Sequence, residues 1–444
     1  MDFTALSPNI ALPKKRDLMK DQYDCIVVGG GPAGGCSAAL IAEAGFSTLL
    51  VEREKMPRFH VGESLMPETY WTFERLGVLD KMRQSDFVKK VSVQFVSATG
   101  AESQPFFFKE HDPRECTQTW QVTRADFDKM LFDNAAEKGA ECHDQMRVMD
   151  IVREEKRVVG VTLRKADGEL REVRSQVLVD ATGQQAFLAN RLGLRVDNPE
   201  LRKVAIWGYY RGARRDTGEH GGATIILHTR DKSSWFWYIP LADDVTSIGV
   251  VGDRDYLLKG RGEPSEVFED EMVKCPALVE RLMDAELTSE FRTAKEFSYS
   301  TKQNAGDGWV MVGDAWGFID PIYSSGVYFA LRSGELAADA IVTGLRNGDT
   351  TASQLSGWYE DFSAGTLWIR KLVDAFYNND FSFGRFLRDY PQHAGNLTDL
   401  LIGRIFHDSA GRIFDDMEPE LAKATVAAEE KRRLAAEGAN AEDL

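Results

Sequence analysis

Tyr23-Asp24-Cys25-Ile26-Val27-Val28-Gly29-Gly30-Gly31-Pro32-Ala33-Gly34-Gly35 carries the clearest structural signal in the chain. A short apolar run ends in a glycine turn, and small residues (Cys36, Ser37, Ala38, Ala39, Ala42, Ala44) follow at helical density up to Gly45. Ser47-Thr48-Leu49-Leu50-Val51 then makes a second strand ending at Glu52. Strand, helix and strand, with G-x-G-x-x-G at Gly29, Gly31 and Gly34 and an acid after the second strand, open a Rossmann-like α/β domain for an ADP-containing dinucleotide. Gly29 allows the tight turn, Gly31 lets backbone N–H groups approach a pyrophosphate, and Gly34 lets the helix pack close to the strand. Pro32 and Ala33 begin a helix whose N-terminus brings partial positive charge to the phosphates. Glu52 can accept hydrogen bonds from a ribose 2′-OH, which disfavours a 2′-phosphorylated cofactor, and Arg53 beside it joins the candidate cofactor-binding set.

Working outward, the middle of the chain is β-rich. Alternating runs at 148–152, 158–163, 170–173 and 177–179 suggest a meander feeding a last strand that closes on Asp180-Ala181-Thr182-Gly183. Further runs at 205–210, 223–228, 235–240 and 246–251 suggest an antiparallel sheet inserted into the nucleotide-binding domain, able to roof a substrate pocket. Trp309-Val310-Met311-Val312-Gly313-Asp314 reads as a buried strand, followed by a helix from about 325 to 345 and a mainly helical, aromatic end after 352. The organisation expected is an N-terminal extension (1–21), a core (22–345), a C-terminal helical region (346–414) and an acidic helical or disordered tail (415–444). Within the core, about 22–90, 115–185 and 290–345 serve mainly the cofactor, and about 91–114 and 200–289 mainly the substrate sheet.

Composition sets the outer limits. The chain has 444 residues, with 54 Lys+Arg against 70 Asp+Glu for a net charge of −16, 43% hydrophobic and 28% charged residues. That balance excludes collagenous and wholly disordered chains, and no apolar run approaches the ~18 residues of a membrane span. The acid excess repels polyanions, so neither nucleic acid nor a membrane surface is the expected partner. Nine of the acids fall in 415–444 against four basic residues, which makes that end a solvated tail. Five scattered cysteines (Cys25, Cys36, Cys116, Cys142, Cys275) give neither a disulfide framework nor metal-ligand spacing. Lys14, Lys15 and Arg16 precede no apolar signal region, so the expected location is cytoplasmic.

Three segments together resemble the FAD-binding fold of aromatic hydroxylases, geranylgeranyl-reductase-like enzymes and flavin-dependent halogenases: the glycine turn with Glu52, Asp180-Ala181-Thr182-Gly183, and Gly313-Asp314-Ala315. The resemblance implies FAD, with Asp314 closing on the ribityl chain and Arg124, in Val122-Thr123-Arg124-Ala125-Asp126-Phe127, lying along the cofactor. Within that fold the sequence resembles the halogenases. Trp235-Phe236-Trp237-Tyr238-Ile239-Pro240 matches W-x-W-x-I-P, and Phe318-Ile319-Asp320-Pro321-Ile322-Tyr323-Ser324-Ser325-Gly326 resembles F-x-x-P-x-x-S-x-G. Val61-Gly62-Glu63-Ser64, with Pro57-Arg58-Phe59 before it, resembles the branch acting on phenolic, pyrrolic and carrier-bound substrates, and in that branch the essential lysine aligns with Lys90 of Phe87-Val88-Lys89-Lys90. By themselves two lysines at the end of a helix and a tryptophan pair at i, i+2 on a strand are commonplace.

The resemblance implies an FADH2-dependent enzyme that turns O2 and chloride or bromide into hypohalous acid. That oxidant is diffusible, so a lysine at the end of a closed passage must hold it by hydrogen bonding, or as a haloamine, and present it to an electron-rich ring. Trp235 and Trp237 would keep substrate from the flavin. Glu63, Ser64, Gly183, Gly326 and Val327 complete the candidate cofactor contacts, and the N–H groups of Ser325 and Gly326 form a candidate halide site. No metal is expected. Tyr323 stands where tryptophan halogenases carry a glutamate, which favours a phenol or pyrrole, free or tethered to a carrier protein, over free tryptophan. Trp368, Phe376, Tyr377, Phe381, Phe383 and Phe386 either line the pocket or form helix core. No second glycine fingerprint for a nicotinamide is present, so a separate flavin reductase is the implied partner. The alternatives are a flavin monooxygenase or dehydrogenase/reductase of the same fold, and a flavin-binding protein without turnover.

Overall fold

Five parallel strands carry the glycine turn. In the computed structural model, which describes residues 19–295 and 298–442, they lie side by side in the order Trp309–Met311, Leu170–Asp180, Gln22–Val28, Thr48–Val51 and Glu141–His143. Cys25, Ile26, Val27, Leu49 and Leu50 are fully buried, as strands covered on both faces must be. Helix Pro32–Glu43 packs against helices Arg124–Glu137 and Ser325–Asn347. Small residues permit the last contact: Ser37 Oγ donates to Gly334 O at 3.1 Å, and a Cβ on Gly334 would stand 2.7 Å from Ala33 O.

The expected meander is corrected at one point. The runs at 170–173 and 177–179 are a single strand, Leu170–Asp180, whose first part pairs antiparallel with Arg157–Arg164 and whose later part pairs parallel with Gln22–Val28. The polar stretch Arg174-Ser175-Gln176 breaks the apolar pattern without breaking the backbone pairing.

The second sheet runs Glu286–Leu287, Lys203–Arg211, Val245–Asp253, Ser234–Pro240, Thr224–His228, Ser92–Val96, Phe106–Phe107, and Arg292–Lys295 also pairs with Lys203–Arg211. It is antiparallel except where Thr224–His228 meets Ser92–Val96. Its inner strands Thr224–His228, Ser234–Pro240 and Val245–Asp253 are buried along nearly their whole length because both faces are covered, whereas Glu286–Leu287 and Arg292–Lys295 at the edge are polar and more exposed. Trp235, Trp237 and Ile239 join the main core, whereas Phe236 and Tyr238 join a second core with Ile206, Val250, Phe268 and Leu278. Helices Pro264–Val273 and Pro276–Arg281 supply that outer layer.

Lys90 also requires correction. It does not end a helix: helix Leu79–Gln84 stops earlier, and Val88–Lys90 is a short strand paired antiparallel with Thr119–Gln121. Side chains alternate along a strand, so Lys89 is exposed and Lys90 points inward.

Beyond the core, helices Tyr359–Tyr377, Phe383–Asp389, Ala394–Ile402 and Arg412–Glu442 follow. The tail expected from 415 is thus helical as far as Glu442. The first eighteen residues of the expected N-terminal extension, and residues 443–444 of the tail, lie outside the described residues. Among the described residues no helix is long and apolar enough to cross a membrane.

Candidate active site

The three fingerprint glycines are not equivalent. A Cβ on Gly29, whose φ is +109°, would stand 2.3 Å from Ala181 O, and one on Gly34 would stand 1.9 Å from Gly29 O. The chain's own backbone therefore demands glycine at both positions. A Cβ on Gly31 would meet nothing nearer than Arg58 Nη2 at 3.5 Å, an ordinary contact, and Gly31 faces a long cavity. Glycine there is explained by a group approaching the backbone from the cavity side. The cavity continues past Pro32, Ala33, Glu52, Arg53, Arg124, Gly183, Asp314, Gly326 and Val327, so most of the expected cofactor-binding residues share one wall.

Some of these residues are already engaged. Glu52 accepts from Gly30 N (2.9 Å) and Glu54 N (2.9 Å) and lies 3.4 Å from Arg58, so its carboxylate braces the turn as well as facing the cavity. Arg124 is held bidentately by Asp128 (2.8 and 3.0 Å) and donates to Val61 O at 2.7 Å, which fixes its guanidinium against the cavity. Burial pushes the Asp314 carboxyl up to about 7, with Arg124 pulling the other way. Asp180 is fully buried: its carboxylate accepts from Thr182 N (3.0 Å) and Leu188 N (2.6 Å), shaping the turn behind the cavity. Gly34, Gly313 and Ser325 likewise stand behind the wall rather than in it. Ser325 begins helix Ser325–Asn347, after Ser324 in the left-handed region (φ 58°), and aims that helix start at Gly326 on the cavity surface.

This donor set fits FAD. It combines a glycine backbone open to the cavity, a helix N-terminus, fixed arginines and an acid beside the second strand, and in the flavoprotein fold these would hold its pyrophosphate and ribose.

The far end of the cavity is walled by indoles. Trp207, Trp235 and Trp237 all line it. Trp207 and Trp237 flank Gly249 in register on neighbouring strands, with ring centroids 6.2 Å apart. A Cβ on Gly249 would lie 2.3 Å from Trp237 and 2.6 Å from Trp207, so that glycine makes the space in which both side chains lie. Trp235 is fixed by a hydrogen bond from its Nε1 to Tyr377 Oη (3.1 Å), and Tyr377 donates to the buried Asp320 at 3.0 Å. Burial lifts the Asp320 carboxyl to about 7. Of the C-terminal aromatics, Phe376 and Tyr377 back Trp235. Trp368 stacks on Phe414, and Phe381, Phe383 and Phe386 cluster together as helix core.

Lys90 is 1% exposed and stands behind Ser64, which lines the cavity. Its Nζ donates to Ser64 Oγ (2.9 Å) and Leu65 O (2.8 Å), with no carboxylate partner among the described residues, and burial lowers its pKa to about 7. Ser64 Oγ lies 2.9 Å from Thr224 Oγ1, which accepts from Gln121 Nε2 at 2.8 Å. Ser64 and Thr224 line the cavity, as does Glu63, which is buried and accepts from Tyr209 Oη at 2.6 Å. Trp207, Thr224, Gln121 and Tyr209 carry no site signal in the sequence, because they sit on strands whose alternation alone does not say which face meets a cavity. Tyr377 is visible there only as one of six aromatics whose place, pocket or helix core, the helical pattern leaves open.

Residues 22–346 match the family model described as FAD binding domain. The chain is 35% identical, over 77% of its length and 82% of the relative's, to a 1H-pyrrole-2-carbonyl-[peptidyl-carrier protein] brominase of Pseudoalteromonas luteoviolacea. It is 28% identical, over 90% of its length and 93% of the relative's, to a 1H-pyrrole-2-carbonyl-[peptidyl-carrier protein] chlorinase of Pseudomonas fluorescens. Among solved structures, that of the flavin-dependent brominase Bmp2 aligns with a TM-score of 0.80 at 30% identity, covering 93% of this chain and 99% of the other.

Proposed function

The chain belongs to the flavin-dependent halogenase family, and on that premise we propose that it halogenates an electron-rich aromatic ring, a pyrrole or phenol, through Lys90. When bound, reduced FAD supplies, with O2 and a halide ion, the hypohalous acid that such enzymes use. Binding, positioning and the exclusion of substrate from the cofactor fall to the residues of this chain. Gly29 to Gly34, Glu52, Arg53 and Arg124 hold the cofactor, with Asp314, Gly326 and Val327 along its far portion. The N–H of Gly326 lies at the cavity in the first turn of the long helix that Ser325 begins behind the wall, where first-turn donors lack intrahelical acceptors, and it suits a chloride or bromide ion. Trp207, Trp235 and Trp237 keep an aromatic substrate out of the cofactor's part of the cavity, so the ring meets the travelling oxidant.

The observation that carries the reading is the buried ammonium of Lys90, which has no carboxylate partner among the described residues and is bonded to Ser64, a residue that lines the cavity. An ion pair would have held it as an inert cation. Bonded only to a hydroxyl and a carbonyl, with its pKa brought to about 7, it can exchange a proton at neutral pH. Similarity to enzymes acting on carrier-bound pyrrole supports a carrier-tethered substrate for this chain too. A separate flavin reductase delivers the reduced cofactor, since the chain shows no second dinucleotide fingerprint.

The test is Lys90→Ala in an assay with FAD, NADH, a generic flavin reductase, O2 and bromide. Halogenated product should disappear while NADH consumption and peroxide release continue. Halogenation by the variant at the wild-type rate would remove Lys90 from the chemistry. Turnover by wild type on NADH alone, without the reductase, would remove the two-component arrangement.

A further inference from the structure

Counting hydrogens around Lys90 shows a group left over. Lys90 Nζ, with three N–H groups as an ammonium, uses one on Ser64 Oγ and one on Leu65 O, and the third is the proton it loses when it becomes a neutral amine. Gln121 Nε2 donates to Thr224 Oγ1 (2.8 Å) and to Gly222 O (3.1 Å); a carbonyl can only accept, so the second bond fixes which way the amide faces. Ser64 Oγ and Thr224 Oγ1, 2.9 Å apart, share one hydrogen bond and therefore use one of their two hydroxyl protons. The other hydroxyl proton has no acceptor in the cluster. Gln121 Oε1, though buried, has no partner and does not take it.

Ser64 and Thr224 both line the cavity, which is the space open to the spare O–H. Two arrangements are possible. If Thr224 donates to Ser64, the bonds run head to tail from Gln121 through Thr224 to Ser64, and Ser64 accepts from both Thr224 and Lys90 while donating into the cavity. If Ser64 donates to Thr224, the bonds run head to tail from Lys90 through Ser64 to Thr224, which also accepts from Gln121 and donates into the cavity. Both are continuous chains, and in both Ser64 Oγ is the atom that takes the Lys90 N–H; the first sets the Ser64 proton against the cavity.

Resting on the proposed role of Lys90, we infer that Ser64 is a catalytic residue of the halogenation, the hydroxyl through which Lys90 reaches the oxidant. Ser64 O–H donates to the oxygen of hypohalous acid in the cavity while Lys90 donates to Ser64 Oγ. As the ring carbon bonds to the halogen, the oxygen–halogen bond breaks. The departing hydroxide takes the Ser64 proton, and Ser64 takes one from the Lys90 ammonium, so water leaves. The proton displaced from the ring returns to neutral Lys90 along the same path. The sum is arene plus HOX giving haloarene plus water, with both side chains restored. Lys90 is thus a proton source behind a serine rather than a nitrogen that must itself be halogenated. Thr224 and Gln121 are positioning residues that aim the Ser64 O–H.

The experiment uses the FAD-loaded enzyme with a flavin reductase, bromide and an electron-rich phenol or pyrrole, reading brominated product per peroxide released together with FAD content from the visible spectrum. Ser64→Ala is expected to keep its FAD and lose about 100-fold in bromination. Ser64→Thr, which restores a hydroxyl, should stay within about tenfold of wild type, and the double variant Ser64→Ala/Lys90→Ala should fall no lower than Lys90→Ala alone, as groups acting in one unit do. Thr224→Val should lower bromination about tenfold without loss of FAD, and it carries the test if Ser64→Ala does not fold. Wild-type bromination by Ser64→Ala beside an inactive Lys90→Ala would overturn the serine inference alone. Wild-type bromination by both would overturn the reading of Lys90 as well. A Ser64→Ala enzyme purified without FAD would assign the hydroxyl to the cofactor instead, a Thr224→Val enzyme at the wild-type rate would reject Thr224 as a positioning residue, and a Thr224→Val enzyme as impaired as Ser64→Ala would move the cavity-facing proton to Thr224.

Discussion

Replacing Lys90 with methionine should stabilise the protein in a pH-dependent way. The ammonium is buried without an ionic partner among the described residues, and its pKa falls from the ordinary 10.5 to about 7. Between these values the unfolded chain holds a proton that the folded chain sheds, so wild-type stability rises with pH across that window and the penalty is fully present below about 7. The whole fall is worth roughly 4–5 kcal/mol at 1.36 kcal/mol per pH unit. Integrated over the titration, about 4 kcal/mol of penalty is felt at pH 7 and about 1.4 kcal/mol at pH 9.5. Lys90→Met also removes the hydrogen bonds to Ser64 and Leu65, but that change does not depend on pH. Urea unfolding of wild type and variant at pH 7 and 9.5, with the same FAD concentration throughout, isolates the ammonium. The variant's advantage over wild type should shrink by about 3 kcal/mol between the two pH values. A difference that does not change with pH would mean that Lys90 keeps an ordinary pKa and does not exchange a proton at neutral pH.

Three other perturbations probe the rest of the site. Gly34→Ala pushes a Cβ to 1.9 Å from Gly29 O, so it should lift the helix from the turn and weaken FAD binding at least about tenfold by fluorescence titration, roughly the 1.4 kcal/mol that a displaced helix start forfeits. Gly249→Ala forces Trp207 and Trp237 apart and should cost about 1–3 kcal/mol in urea unfolding while FAD remains bound. Tyr377→Phe leaves the buried Trp235 indole N–H without an acceptor and takes from Asp320 the donor on Oδ2, with Ile322 N still bonded to Oδ1, so a loss of about 1–3 kcal/mol is expected; an unchanged unfolding midpoint would show that the Trp235 anchor lies elsewhere.

The parts of the site that were legible in the sequence are those where chemistry restricts the residue type. Gly29 and Gly34 are dictated by backbone contacts, and Glu52 follows from its place at the end of a strand, so a linear reading finds them. The strands of the second sheet were also readable, from 205–210 to the observed Lys203–Arg211 and from 235–240 to Ser234–Pro240, because their β-branched and aromatic runs are long. Val88–Lys90 was not readable as a strand. Three residues give no period, and its pairing partner Thr119–Gln121 lies about thirty positions away. The Ser64–Thr224–Gln121 cluster was hidden for the same reason: it joins three distant segments through polar residues that are individually ordinary. The C-terminal aromatics were ambiguous because the helical pattern alone does not separate Phe376 and Tyr377, which meet Trp235, from Trp368, which meets Phe414.

Mass spectrometry of the product tests halogenation by this chain most directly. The FAD-loaded protein, given a flavin reductase, NADH, O2 and bromide, is offered carrier-tethered pyrrole-2-carbonyl and a panel of free pyrroles and phenols. The expected result is at least one product carrying the near-equal pair of peaks two mass units apart that marks a single bromine, absent when bromide is omitted. A product that gains only oxygen, or steady peroxide release with every ring unmodified, would contradict it.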